Sequence, residues 1–203
     1  MQVRKDTLIR KKEIVAAVRK LIIIYGSENV TIKKIAQEIG ISEAAIYRHF
    51  NSKKDILSFL IDDLEETLIG DIAKNYSGEV GSLETLAKII LHHISSVEQR
   101  KGITFQVIAE IISFGDEDLN TKISDVINKY ITMIKLVLSE GVKSGVVNQD
   151  VDLDATAKIF FGMTQGLVNI WALSKYSFNL EEEYMPLWNV LLKTIAKPEN
   201  SVK

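Results

Sequence analysis

The chain has 203 residues, no cysteine, 46% apolar and 26% charged residues, and a formal net charge of −2. The lack of cysteine excludes disulfides, Cys-ligated metals and a thiol nucleophile, and only two prolines, Pro186 and Pro198, leave room for long helices. Charge is unevenly spread: residues 1–60 hold 12 Lys plus Arg against 6 Asp plus Glu, and the remainder 13 against 21. A basic leading segment on an acidic body fits a phosphate-binding head. No apolar stretch of signal-peptide length follows the charged start, and Leu21 to Tyr25 is too short to cross a bilayer. A cytoplasmic protein with no membrane partner is expected.

Residues 2–12 include Arg4, Lys5, Arg10, Lys11 and Lys12. They fit an arm on DNA phosphates or the minor groove, or a solvated tail, and the tail is preferred for Arg4 and Lys5 because nothing in the sequence anchors them. From Thr7 to Tyr25, Ile14, Val18, Leu21, Ile22 and Tyr25 recur at helical spacing and predict a first helix, ended by Gly26. The stretch Thr31 to Phe50, TIKKIAQEIGISEAAIYRHF, then reads as two short helices about a tight turn. Thr31 caps the first, which turns Ile32, Ile35, Ala36 and Ile39 inward. Gly40 stops it, Ile41 plugs the core, and Ser42 caps the second, whose inner face carries Ile46 and Phe50. This is the pattern of a DNA-binding helix-turn-helix.

The outer face of the second helix is left with Glu43, Ala44, Ala45, Tyr47, Arg48 and His49. An arginine can donate two hydrogen bonds to guanine O6 and N7, which suits Arg48, and small side chains such as Ala44 and Ala45 meet thymine methyls. Tyr47, His49, Lys53 and Lys54 suit phosphate oxygens, and Thr31 and Ser42 help position them. Glu43 could accept from a cytosine amino group but would repel a nearby phosphate. A buried amphipathic hairpin with incidental surface charge has the same two-helix pattern.

The run T-x-x-x-I-A-x-x-x-G-I-S followed by IYRHFNSKKDIL resembles the signature of the TetR family of bacterial transcriptional regulators. Ile46, Tyr47, His49, Phe50 and Lys53 fill that signature's recognition-helix places. The resemblance implies operator binding by this segment.

Lys53 to about Ile72 predicts a fourth helix, with Ile56, Leu57, Leu60, Leu64 and Leu68 inward, suited to transmit change from body to head. The polar stretch Asn75 to Gly81 marks a boundary. Ser82 then caps a helix bearing Leu83, Leu86, Ile89, Ile90, Ile94 and Val97. A helix over about 102–114 presents Phe105, Ile108, Ile111 and Ile112, and Gly115 closes it. A long one over about 119–143 presents Ile123, Ile127, Tyr130, Ile134, Val137 and Leu138. Asp152 or Asp154 caps a helix through Trp171 with almost no polar side, and a last helix covers about Leu180 to Ala196.

A helix apolar nearly all round must be buried on most of its circumference. Gly162 and Gly166, four apart, would admit a close helix, and one monomer offers little cover. Self-association follows, and a homodimer formed through the last two helices is what the resemblance implies. Two heads would then enter successive major grooves ~34–36 Å apart on a near-palindromic site in double-stranded DNA.

Catalysis finds little support. Successive residues on a helix point about 100° apart, so His92 and His93 cannot share a metal, although either could pair with Glu98 or Asp63. There is no phosphate loop or nucleophile motif, and neither an enzyme nor a cofactor or metal is expected. His93, Phe105, Ile108, Tyr130, Met133, Ile134, Phe161 and Gln165 fall on helices that should surround the body's centre. They suit a small, mostly apolar ligand, though taken one by one more than half of these side chains fit plain core packing. The family resemblance implies that such a ligand weakens DNA binding.

The stretch from Leu119 to Leu173, with Gly141, Gly145 and an Ile-Phe-Phe-Gly run, is also similar to TetR-family regulators of fatty-acid degradation. That likeness implies long-chain acyl-coenzyme A, beside a multidrug or other hydrophobic inducer. A polyanionic coenzyme would need cations such as Arg100 or Lys101 at the entrance.

The expectation is an all-α chain of about nine helices. A three-helix DNA-binding domain over residues 1–54 precedes a ligand-binding and dimerisation domain over 55–203. The function expected is that of a ligand-released repressor. A constitutive DNA-binding protein and a small helical enzyme are the rival readings.

Overall fold

A computed structural model describes residues 7–25, 30–76, 80 and 82–197. Arg4, Lys5, Gly26 and residues 77–79 and 81 of the expected boundary turn lie outside them. Nine helices occur among the described residues: α1 Thr7–Tyr25, α2 Ile32–Glu38, α3 Glu43–Tyr47, α4 Lys53–Asn75, α5 Leu83–Gln99, α6 Ile103–Phe114, α7 Glu117–Lys143, α8 Leu153–Leu173 and α9 Leu180–Ile195. The only extended pairing among them is an isolated antiparallel bridge between Val147 and Ala196. The chain is all-α.

Two compact units emerge, one of Met1–Leu64 with Gln106–Ser124, the other of Glu65–Phe105 with Asp125–Lys203. Helices α4, α6 and α7 therefore contribute residues to both.

In the first unit α1 packs on α2 and α2 on α3. Its core holds Ile14, Val18, Leu21 and Ile22 of α1, Ile35 and Ala36 of α2, and Ile46 of α3, joined by Phe50, Ile56, Leu60, Ile111 and Ile123. Side-chain oxygens cap the short helices. Thr31 accepts from the Lys34 N–H and Ser42 from the Ala45 N–H, both at 3.2 Å, and so satisfy donors that the first turn leaves free. Between them Gly40 adopts φ 68°, a backbone that only glycine takes without cost.

Ser52 accepts from the Asp55 N–H at 3.1 Å, and the Asp55 carboxylate accepts from the Asn51 N–H at 2.9 Å. This reciprocal cap starts α4 immediately after the recognition segment. Two side chains expected inward face out. Tyr25 closes α1 half exposed with the Lys34 ammonium 5.1 Å over its ring, and Ile112 lies one position past the buried face formed by Val107, Ile108 and Ile111.

In the second unit α5 and α8 both pack on α9. Ser82, Asp152 and Asn179 cap them, accepting from the Thr85, Ala155 and Glu182 N–H groups. The large buried side chains are Phe105, Tyr130, Phe160, Tyr184 and Trp188. Gly141 has a packing reason: a Cβ there would stand 2.6 Å from Val147 Cγ2, inside any normal contact. Val147 is buried where the loop after α7 folds back, its neighbour Asn148 donating to the Ile195 carbonyl at 2.8 Å. Gly141→Ala is therefore expected to lower stability by about 1–3 kcal/mol through overpacking, read as a fall in the urea midpoint. An unchanged midpoint would show that the loop yields freely.

Candidate functional site

The recognition segment is shorter than its sequence pattern suggests. Helix α3 ends at Tyr47, and Arg48 caps it with φ −75° and ψ −17°. His49 and Phe50 follow in a turn held by their N–H groups on the Ile46 carbonyl at 2.9 and 3.1 Å. Because Ile46 is fully buried and Phe50 nearly so, Tyr47 and Arg48 between them are forced outward. Glu43, Ala44, Tyr47 and Arg48 are exposed, Ala45 and His49 half-buried. Glu43 stands in the first turn of α3, where a carboxylate favours the positive end of the helix dipole. His49 Nδ1 is buried without a hydrogen-bond partner.

Lys53 and Lys54 were both expected to meet phosphate, and both already face carboxylates. Lys53 Nζ lies 4.0 Å from Glu110 and 5.8 Å from the centre of the Phe114 ring. Lys54 Nζ lies 2.8 Å from Asp116 and 2.7 Å from Asp118. The hydrogen bond to Asp116, then that to Asp118, raises the Lys54 pKa, and Lys54 in turn lowers that of Asp116. No local spacing reveals these acids, because they stand on α6 and at the start of α7. Only folding brings them to the head of α4.

In the second unit a polar string runs through aromatic packing. The Tyr130 hydroxyl lies 2.9 Å from His93 Nε2, and the Tyr184 hydroxyl 3.3 Å from Thr164 Oγ1. Thr164 gives its own proton to the Phe160 carbonyl at 2.9 Å, so Tyr184 is the donor between them. The rings of His93, Phe105, Phe160 and Phe161 stand 5.5 to 6.4 Å from that of Tyr130.

His93 is wholly buried. Burial lowers its pKa to about 4, against the pull of Asp71 and with the push of Arg100. Its Nδ1 has no partner in the protein. Beside it Asp71, itself buried, accepts two bonds from Arg100, one of them Nη2 to Oδ1 at 2.9 Å.

Of the expected ligand residues, His93, Phe105, Tyr130 and Ile134 are buried and Met133, Phe161 and Gln165 half-buried within this unit. Gln165 donates to the Phe105 carbonyl at 3.2 Å and leaves its own Oε1 buried and unbonded. Ile108 belongs to the first unit instead. Both expected acid partners are engaged elsewhere. Asp63 pairs with Arg19, and Glu98 accepts from the Leu180 N–H at 2.8 Å. Metal-capable groups of three or more His, Asp or Glu are absent among the described residues.

Helices α8 and α9 expose a further apolar set. Ile170 is 58% exposed, Leu173 85% and Val190 68%, with Ile159 also open. Gly162 and Gly166 lie on α8 with nothing within 4 Å of a Cβ built there.

Residues 14–58 match the family described as "Bacterial regulatory proteins, tetR family", and residues 62–194 match "YsiA-like protein, C-terminal region". Among curated relatives, the nucleoid occlusion factor SlmA of Vibrio vulnificus (strain YJ016) is 26% identical over 183 residues, 90% of this chain and 93% of that one. Among solved structures, the fatty acid degradation regulator FadR from Bacillus halodurans is 21% identical. It covers 94% of this chain and 97% of its own at a TM-score of 0.78. FadR from Bacillus subtilis, solved in complex with stearoyl-CoA, is 23% identical at 0.73, covering 90% and 95%. At these identities the structures show a shared fold.

His93 makes stability pH-dependent in a defined direction. Its pKa is about 4 folded and near 6.5 unfolded, so between those values the unfolded chain holds the extra proton. Stability contributed by neutral His93 is present above about pH 6.5 and is lost as pH falls toward 4, by up to about 3 kcal/mol. His93→Gln is expected to flatten the dependence of the urea midpoint across that window. A variant as acid-sensitive as the parent would assign the effect to other groups.

Proposed function

The chain belongs to the TetR family of bacterial regulatory proteins, and from that premise we propose that it acts as a homodimeric repressor released from DNA by a mostly apolar ligand. The operator-reading head comprises residues 1–54, and residues 55–203 carry ligand binding and dimerisation. The observation that carries the reading is the outward set on a buried anchor. Ile46 and Phe50 are sunk in the core, while Arg48, Ala44 and Tyr47 stand free for a major groove.

Arg48 takes the base-reading role, with Ala44, Ala45 and Glu43 beside it. Tyr47, His49 and Lys53 take phosphates, and Thr31 and Ser42 hold the two short helices at the right angle by capping them. The exposed faces of α8 and α9 supply the dimer contact, since a single chain leaves Ile170, Leu173 and Val190 in water. Two linked heads then match a near-palindromic operator.

The polar string of His93, Tyr130, Thr164 and Tyr184 suits a ligand that is apolar along most of its length with one hydrogen-bonding group. Such a ligand works by favouring one of two spacings of the paired heads. FadR of Bacillus subtilis was solved with stearoyl-CoA, and the likeness supports an acyl chain. Arg100, a candidate for the coenzyme's phosphates, is already neutralised by Asp71. That favours an uncharged or singly charged head group over a polyanionic one.

A second reading, a DNA-binding factor whose affinity no small ligand changes, draws on the likeness to a nucleoid occlusion factor and on the closely filled ring cluster around Tyr130. Native mass spectrometry of protein purified from cells separates the two. A dimer carrying a small molecule that denaturation releases supports the first reading, an empty dimer the second, and a monomer neither.

Two substitutions test the assignments directly. Arg48→Ala is expected to cost about 1–3 kcal/mol on the preferred site and to relax sequence preference there. Unaltered preference in a random-library selection would take Arg48 off the base-reading list. Ile170→Glu places a charge on the exposed α8 face and is expected to shift the protein to monomer in sedimentation. A persistent dimer would move the interface elsewhere.

A further inference from the structure

The lysines that open α4 face two fates in the same unit. Both suit DNA phosphate by their place in the sequence, and in the structure Lys53 stands 4.0 Å from Glu110 of α6 while Lys54 bonds Asp116 and Asp118 at the opening of α7. Glu110 is the more telling of these acids. Its side chain is only 10% exposed, and it lines a small cavity whose other walls are Val18, Ile22, Val30, Ile35, Ile56, Leu57 and the Lys53 stem. A carboxylate against a dry apolar wall gains more from a nearby cation than one in water. Moving Lys53 toward a phosphate leaves Glu110 partly uncompensated.

Lys54 is bound more tightly, between Asp116 and Asp118. Asp116 also caps α7, accepting from the Asp118 and Leu119 N–H groups at 3.1 Å, so its position is fixed by the helix and not by the lysine. Asp118 is 85% exposed and has no such duty. Further along, Lys122 bonds Asp62 at 2.7 Å and the Ser58 carbonyl at 2.8 Å, which pins the start of α7 to α4.

We infer that Glu110, Asp116 and Asp118 form an acidic clamp that competes with DNA for Lys53 and Lys54 and so holds the protein's DNA affinity below what its basic head could reach. The clamp rests on the proposal that these lysines contact phosphate. It adds residues outside the helix-turn-helix to the set that determines binding. Each lysine freed from its acid becomes available to release a counterion from DNA, so the clamp should be visible in the salt dependence and not only in the affinity.

The test uses the full-length protein and a fluorescein-labelled DNA duplex of random sequence, with anisotropy followed over a series of salt concentrations. Glu110→Gln keeps the side chain's shape against the cavity, and Asp118→Asn changes an exposed group, so both should fold; circular dichroism and urea midpoints verify this. Each is expected to tighten binding about threefold at low salt, the scale of one weak ion pair, and to steepen the logarithmic salt slope by up to about one. Glu117→Gln, the same charge change on an exposed neighbour, controls for general electrostatics and should leave the slope unchanged.

Lys53→Ala should weaken binding, and adding Glu110→Gln to it should then bring no gain. If Lys53→Ala weakens binding while Glu110→Gln and Asp118→Asn fail to strengthen it, the clamp is refuted and the phosphate role stands. If Lys53→Ala and Lys54→Ala both leave binding unchanged, the phosphate role fails and the clamp falls with it.

Discussion

Burial of Ile46 is the contact on which the exposed face of α3 depends. A five-residue helix cannot persist by its own hydrogen bonds, because nucleation costs more than so short a run returns. Helix α3 exists because Ser42 caps its start and because Ile46 is withdrawn completely from water. Phe50, edge-on to Phe59 at 5.8 Å and beneath the Lys11 ammonium at 5.0 Å, fixes the exit. With both anchors in place, the intervening Tyr47 and Arg48 have no direction left but outward. The surface chemistry is thus a consequence of the core.

The second unit applies an opposite logic. There several polar groups lie inside and bond to one another. Thr164 spends its proton on the Phe160 carbonyl, Tyr184 spends its own on Thr164, and Tyr130 meets His93. Buried hydrogen bonds of this kind are costly to break and so fix one arrangement of the helices that carry them. The string leaves the His93 Nδ1 and Gln165 Oε1 without partners, and the Trp188 Nε1 of the same unit is likewise buried and unbonded. Depression of the His93 pKa by burial keeps that imidazole neutral.

Charge follows the same division of labour. The basic surplus of the leading 60 residues suggests open attraction to DNA, yet Lys53 and Lys54 meet acids from much later in the chain. Arg100 likewise is spent on buried Asp71. Net charge by segment therefore overstates the cations available to a ligand. What matters is how many remain after internal pairing, and that number is a property of the fold.

The all-α class, the positions of nearly all helices and the caps at Thr31, Ser42 and Ser82 were legible in the sequence, and the α8 cap was narrowed to Asp152 or Asp154, of which Asp152 caps. These are set by interactions within a few residues: apolar periodicity, a hydroxyl or carboxylate three places before a free N–H, and Gly40 where the backbone turns left-handed. The outward set at Glu43 to Arg48 was legible for the same reason, since burying Ile46 and Phe50 dictates what is left. The early end of α3 at Tyr47 and the pairs Lys53–Glu110, Lys54–Asp116 and Arg100–Asp71 were not. Each pair joins residues distant in sequence, and no periodicity encodes which helix a side chain will meet across a core. The sequence alone determined where helices form and which face of each is apolar. Only the tertiary structure decided which charges are cancelled and which polar groups are left wanting, because those depend on distances that exist only once the helices have packed.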